Sequence, residues 1–355
     1  MKICIVGAFG FENLDMATGG QPVKTRELYD VLCNKYSKKN VSFVETYRWK
    51  KNFVRMLVQL LTYVRKSDII IMLPAHNGVI IFSKLLLILK RKKAKVFYDV
   101  IGGWLPEKVQ TEVALKKCLK KFDGIWVETS SMQKALGDQG LNNISIVPNF
   151  KNLNILKENE LTYHNVIPFK LCTFSRVMKQ KGIEDAINGV RTLNLKYNKT
   201  IYTLDIYGQI DDGYRENFES MQKEFPEYIS YKGVASPNES VGVLKEYFAL
   251  LFPTHYYTEG VPGTIIDSYS AGTPIITSLW VNSGDVFEEN ETGFGYEFNN
   301  YKDFLKKLEN AYLQAEEFSK MKKNCLLWAK KYQAETVVEQ IDGLLKNSKQ
   351  GIYGF

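Results

Sequence analysis

The sequence predicts an α/β chain built as two consecutive doubly wound units, and three observations carry that prediction. Short apolar runs alternate with amphipathic stretches through the first 150 residues. The same alternation restarts at Leu171, after a polar, irregular stretch. The chain has 355 residues, 45% of them hydrophobic, which is enough for two separate cores.

The first unit spans 1–150. Lys2 to Val6 reads as a strand, followed by Gly7 and Gly10. A dinucleotide fingerprint would need a third glycine at position 13, which is Asn, so NAD binding is not expected. Gly19-Gly20-Gln21 then precedes a helix marked by Val23, Leu28, Val31 and Leu32. Val41 to Thr46 is the second strand. Phe53 to Val64 is an amphipathic helix expected to bury Phe53, Leu57, Leu60, Leu61 and Val64. Asp68 to Leu73 is a strand, Val79 to Leu89 a helix, and Val96 to Val100 a strand running into Ile101-Gly102-Gly103-Trp104. Strands at Ile125 to Glu128 and Ile144 to Val147 close the unit. Such alternation calls for a parallel sheet with helices on both faces.

Pro148 to about Pro168 reads as a linker. The second unit spans 169–328. Its strands are Leu171 to Phe174, Tyr202 to Tyr207, Ile229 to Lys232, Leu250 to Pro253 and Ile275 to Thr277. Its helices are Gly182 to Leu193, Phe218 to Phe225 and Ser240 to Tyr247, with mostly helical pattern over 301–346. Residues 329–355 form a separate C-terminal helical segment.

Composition excludes several classes. Five cysteines show no CxxC spacing, and His76, His164 and His255 form no ligand pair, so a reduced protein without structural zinc is expected. Met1-Lys2 leads straight into a strand, so no signal peptide is expected, and the run Val79 to Leu89 is too short to span a bilayer. A cytoplasmic location follows. Residues 1–150 hold 24 basic and 12 acidic side chains, whereas the remainder nets −4. A first unit at +12 should meet something anionic.

Two stretches carry chemistry. In Thr254 to Ser278, Glu259 precedes the loop Gly260-Val261-Pro262-Gly263-Thr264, which opens a helix containing Asp267. A helix N-terminus offers free N–H groups and a positive dipole end, and the two carboxylates can accept from hydroxyls. In Ser175 to Gly182, Arg176 and Lys181 flank one strand-to-helix loop. A planar guanidinium fork beside a mobile ammonium suits a diphosphate. Glycines also end the strands at Gly208 and Gly233. No D-x-D triplet occurs, so a metal-independent site is expected, with the cationic pair in the metal's place.

The Glu259–Asp267 stretch resembles the E-x7-E signature of retaining glycosyltransferases of family four, with Asp in the second place. The Arg176–Gly182 stretch resembles that family's Arg-x4-Lys-Gly donor-phosphate loop. The resemblance implies the B-type fold, two Rossmann-like domains facing across a cleft, with the last helix crossing back to the first domain. It implies that Arg176, Lys181 and the Gly19-Gly20 loop hold the diphosphate. It gives Glu259 the sugar hydroxyls and Asp267 the ribose, and it places the nucleotide beside Gly208 and Val234. Restoring the family's residue by Asp267→Glu should then be tolerated. Where relatives carry a histidine after the strand at 96–100, this chain has Gly102 and Gly103. His76 is the nearest imidazole in sequence, and a lone loop histidine reads first as a solvated surface residue.

The expected activity is retaining hexosyl transfer from a nucleoside diphosphate sugar, UDP favoured, to a glycan or lipid-linked acceptor in bacterial surface polysaccharide or glycoconjugate assembly, with no further cofactor. A sugar-nucleotide epimerase and a non-enzymatic sugar-binding protein remain alternatives. The basic helices of the first unit suggest an anionic membrane surface as partner, peripheral at the inner face. No aromatic–basic reader motif points to nucleic acid.

Overall fold

The computed structural model describes residues 1–13, 19–163 and 166–347; His164 lies outside the described residues. The chain divides into two compact units. One is Met1–Asn152 with the chain from Tyr332 onward, and the other is Leu153–Lys331.

The first unit carries β1 (Ile3–Gly7), α1 (Gly20–Tyr36), β2 (Val41–Glu45), α2 (Phe53–Tyr63), β3 (Ile69–Met72), α3 (Asn77–Leu89) and β4 (Lys95–Asp99). After these come α4 (Leu105–Thr111), α5 (Val113–Leu119), β5 (Gly124–Val127), α6 (Ser130–Asp138) and β6 (Ile144–Ile146). All strands pair in parallel, in the order β2-β1-β3-β4-β5-β6, with Ile3 beside both Val41 and Ile69. A parallel sheet is covered on both faces, so its strands are apolar throughout. β1, β3 and β5 are accordingly buried at every position.

The two-residue period splits the core in two. Cys4, Val6, Ile70, Met72 and Tyr98 meet α2 through α6 on one face. On the opposite face, Ile3, Ile5, Ile69, Ile71, Phe97 and Trp126 meet α1 and the last helix.

The second unit carries β7 (Phe169–Phe174), α7 (Ile183–Lys196), β8 (Tyr202–Tyr207), α8 (Arg215–Gln222), β9 (Ile229–Gly233), α9 (Ser240–Leu244) and β10 (Ala249–Phe252). It continues with α10 (Gly263–Ser270), β11 (Ile275–Leu279), β12 (Gly293–Glu297), α11 (Tyr301–Leu313), α12 (Ala315–Lys320) and α13 (Lys322–Ala329). Its sheet is also parallel, in the order β12-β11-β10-β7-β8-β9. β7 and β10 are therefore neighbours, and their carboxyl-end loops emerge side by side.

The last helix, α14 (Ala334–Asn347), buries Val337, Ile341 and Leu345 against the first unit's core. Each such side chain contributes roughly 1.5–3 kcal/mol, so apolar packing sets its place. Tyr36 adds a hydroxyl donation to Asp342.

The sequence expectation fails in identifiable places. α2 turns Met56 and Leu60 inward and leaves Phe53, Val54, Val58 and Leu61 exposed, so its apolar surface nearly encircles it. The helix expected to run from Ser240 to Tyr247 stops at Leu244. β12 and helices α4, α5 and α6 do not stand out in the sequence reading.

Candidate active site

The two motif loops of the second unit meet. β7 delivers Ser175–Lys181, and β10 delivers Pro253–Pro262. The N–H of His255 donates to Gln180 O at 2.8 Å, zipping the loops together. Gly182 sits at the junction with φ 69°, and a Cβ there would lie 1.8 Å from Pro253 O. Only glycine allows that approach.

At this junction Lys181 Nζ is in contact with the Glu259 carboxylate. Both side chains are mostly covered, at 18% and 16% exposure. The ammonium also lies 5.1 Å from the Tyr256 ring centroid and 5.3 Å from that of Phe252. Glu259 is fixed further. Thr254 Oγ1 donates to its Oε1 at 3.1 Å, and Asn282 Nδ2 donates to its main-chain O at 2.6 Å. Ser278 Oγ holds Thr254 in turn through its carbonyl at 2.8 Å. Arg176 is looser: its guanidinium is about half exposed and 3.8 Å from Asp211 Oδ2.

Beyond Glu259 the chain dives inward. Gly260, Val261 and Pro262 are buried, and Gly263 and Thr264 are half-buried at the start of α10. Thr264 Oγ1 is buried, and among the described residues it has no hydrogen-bond partner. Asp267 departs from expectation. Its carboxylate is buried and accepts from Ser240 Oγ at 2.9 Å, so it does not open onto the surface beside Glu259.

Gly208 follows β8 with φ 136°, and a Cβ would lie 1.8 Å from Ser175 O. This close approach shapes a cavity of about 120 Å³ lined by Phe174, Ser175, Tyr207, Gly208, Val234 and Ala235. Tyr207 is backed by Tyr247, whose hydroxyl donates to Asp205 Oδ2 at 2.8 Å. Thus Arg176, Lys181, Gly208, Val234, Glu259 and the Gly260–Thr264 loop gather on one edge of one sheet. His255, which the sequence reading left without a role, buttresses that edge through Asp185 at 3.1 Å and Asn299 at 2.6 Å. Its signal was position alone, four residues before Glu259.

In the first unit, Gly19 precedes α1 and Gly20 opens it, exposed to solvent. Gly103 is buried in the loop after β4. Below that loop lies a cluster the sequence reading missed. Lys24 Nζ is 3.1 Å from Asp99 Oδ1 and from Glu128 Oε1, and donates to Val100 O at 3.1 Å. All three side chains are buried. Among the described residues neither Asp99 oxygen has an aligned hydrogen-bond donor, so the 3.1 Å approach of Lys24 is an ion contact without hydrogen-bond geometry. Burial raises the Asp99 carboxyl above its ordinary value, and Lys24 offsets this only in part. Burial alone would depress Lys24, but Asp99 and Glu128 outweigh it and hold the ammonium above its usual range. Each acid closes an apolar strand, the one available sequence signal. Among the described residues, no three His, Cys, Asp or Glu side chains gather as a metal site.

Residues 164–328 match the family described as "Glycosyl transferases group 1". No curated protein sequence matches the chain. Solved structures share its architecture of two parallel α/β sheets. HepE of Anabaena, in complex with UDP and glucose, is 12% identical with a TM-score of 0.75, covering 98% of this chain and 100% of that one. Sucrose-phosphate synthase from Thermosynechococcus elongatus is 13% identical with a TM-score of 0.76, covering 99% and 100%. The lipopolysaccharide outer core galactosyltransferase WaaB is 16% identical with a TM-score of 0.69, covering 98% and 99%. At such identities the likeness is one of fold.

Proposed function

We propose that this chain, a glycosyltransferase by its group 1 domain, is a retaining enzyme of family-four type that moves a sugar from a nucleoside diphosphate donor to a hydroxyl of a glycan or lipid-linked acceptor. The observation that carries the reading is the Lys181–Glu259 contact. Two motifs 78 residues apart deliver a diphosphate-type cation and a hydroxyl-accepting carboxylate to one point. A donor would divide the pair, its phosphate oxygens taking Lys181 and its sugar hydroxyls donating to Glu259. The orphan Thr264 hydroxyl would serve the same ligand, and the cavity beside Gly208 and Val234 would take the base. UDP is the favoured nucleotide, since HepE binds it on this fold.

As the bond from the anomeric carbon to the phosphate oxygen breaks, negative charge grows on the diphosphate. Lys181 and Arg176 are placed to stabilise it, and a preorganised charge acts most where charge develops. The acceptor oxygen bonds to the anomeric carbon on the face the phosphate leaves, and the departing phosphate oxygen takes the acceptor's proton. This needs neither a protein base nor a metal ion. Activity should therefore survive chelation.

Among the described residues no helix is long and apolar enough to cross a membrane. The exposed apolar face of α2, with Arg55 on it and Lys50 and Lys51 before it, favours peripheral contact with an anionic bilayer at the cytoplasmic face. An acceptor carried on lipid, as in surface polysaccharide assembly, would then lie close to the first unit.

Calorimetry with UDP and GDP tests the donor reading. UDP should bind, and binding should weaken in Lys181→Ala; no affinity for either nucleotide overturns it. Incubation with a labelled donor and no acceptor should leave the sugar's configuration unchanged, whereas an isomerised sugar would mark an epimerase. Pelleting with anionic vesicles should occur at low salt and reverse at high salt. Equal, negligible pelleting in all conditions removes the membrane from the proposal.

A further inference from the structure

Two rings meet at the carboxyl edge of the first unit's sheet. One is His76, in the loop after β3, and the other is Trp104, in the loop after β4. Their centroids lie 4.7 Å apart with the planes at 32°. His76 is exposed and Trp104 half-buried. Ligands of α/β sheets bind at this edge.

The rings are held from below. Tyr98 Oη donates to Pro74 O at 3.0 Å, fixing the first loop, and Lys24 Nζ donates to Val100 O at 3.1 Å, fixing the second. The Trp104 indole N–H donates to Ile101 O at 2.8 Å. His76 itself stands at φ 47° and ψ −112°, a conformation that costs an L residue energy and persists where surroundings impose it. Yet the His76 side chain completes no core, and among the described residues its ring nitrogens have no hydrogen-bond partner. The indole packs on the core beneath it, but the strained, exposed imidazole tilted against it adds nothing to that core.

We propose that His76 and Trp104 form a pyranose-binding platform, the place where the first unit receives the sugar of its acceptor. A pyranose presents a face of C–H groups that packs on an aromatic ring, with its hydroxyls at the rim. The imidazole can donate to or accept from such a hydroxyl through either nitrogen. The assignment of this sugar as the acceptor's rests on the proposed transferase reading. The platform itself does not.

The test uses the full chain and three probes, the methyl α-glycosides of glucose, galactose and N-acetylglucosamine. Saturation-transfer NMR should show at least one bound, its ring C–H protons receiving the most saturation. Trp104→Leu should weaken that binding about tenfold or more and His76→Ala at least threefold. His76→Phe should restore part of it. His76→Gly should melt no lower than wild type, because left-handed φ suits glycine, and should bind sugar as poorly as His76→Ala. UDP affinity should be unchanged in all four. The proposal is overturned if no glycoside binds, or if His76→Ala binds like wild type. Should Trp104→Leu fail to fold, the exposed His76 variants decide alone. Loss of UDP binding in wild type with the platform intact would sink the donor reading and leave the sugar site standing.

Discussion

The carboxyl edges of the two sheets are built on opposite plans. In the second unit the charges stand at the rim: Lys181 and Glu259 touch each other while partly open to solvent, and Arg176 is about half exposed. In the first unit the charges lie underneath, and the rim carries rings. Lys24, Asp99 and Glu128 are at most 3% exposed, while the tilted His76–Trp104 ring pair stands at the rim. The difference separates two jobs. A rim pair can be parted by a ligand at modest cost, because solvent and ligand replace the lost partner. A buried trio cannot be parted without leaving a bare charge, so it fixes loops and takes no ligand.

The largest expected effect tests that separation. Lys24→Met would leave two buried carboxyls without their cation, and breaking a buried pair costs about 3–5 kcal/mol. Urea unfolding should show a loss of this order; a loss within error would mean the trio is not charged as described. Asp99→Asn should cost less, because it keeps the Lys24–Glu128 pair and removes a carboxylate whose charge burial opposes. The sign of its pH dependence follows. A carboxyl raised in the folded state binds more protons folded than unfolded, so it loses stability as pH rises above the ordinary carboxylate range toward its folded value. The variant lacks that loss and should gain on wild type over that window.

At the other edge the effect should be on rate. Removing one stabilising donor from a developing negative charge costs roughly two orders of magnitude or more in kcat. Arg176→Ala and Lys181→Ala should each do this, read as UDP release from a UDP-sugar, with unfolding little changed for the exposed Arg176. Near-normal turnover in both variants would remove the rim charges from the chemistry.

Sequence made the second edge easier to read than the first, for physical reasons. Ser175–Gly182 and Thr254–Ser278 are each contiguous, and a loop that binds anions needs its cations and glycines close together in sequence. The buried trio comes from α1, β4 and the end of β5, and nothing local links them. The strands were legible because covered parallel strands are apolar at every position, as in Ile69–Met72. β12 was not, because the two glycines in GFGYE resemble a turn until Phe294 and Tyr296 are seen buried. α2 misled in another way. With Phe53, Val54, Leu57, Val58, Leu60 and Leu61, almost any face could be the core face, and tertiary packing chose Met56 and Leu60.

The smallest expected effect bears on Asp267, where motif and packing disagree. Read as a motif, the position invites glutamate, and Asp267→Glu should be harmless. In the structure Asp267 is 2% exposed and receives the Ser240 hydroxyl at 2.9 Å. One added methylene in a close-packed interior forces side chains off their rotamers, at about 1–3 kcal/mol. It would also push the carboxylate past Ser240, at the start of α9. Asp267→Glu should therefore lower the melting temperature, while Asp267→Asn, nearly equal in volume, should lower it less. UDP calorimetry on the same variants supplies the second axis. A glutamate variant that is as stable as wild type and binds UDP more tightly would show that this carboxylate reaches the nucleotide. The second unit would then use it at the rim as it uses Glu259. A less stable variant with unchanged UDP affinity would place Asp267 with Lys24, among the charges that hold an edge together from inside.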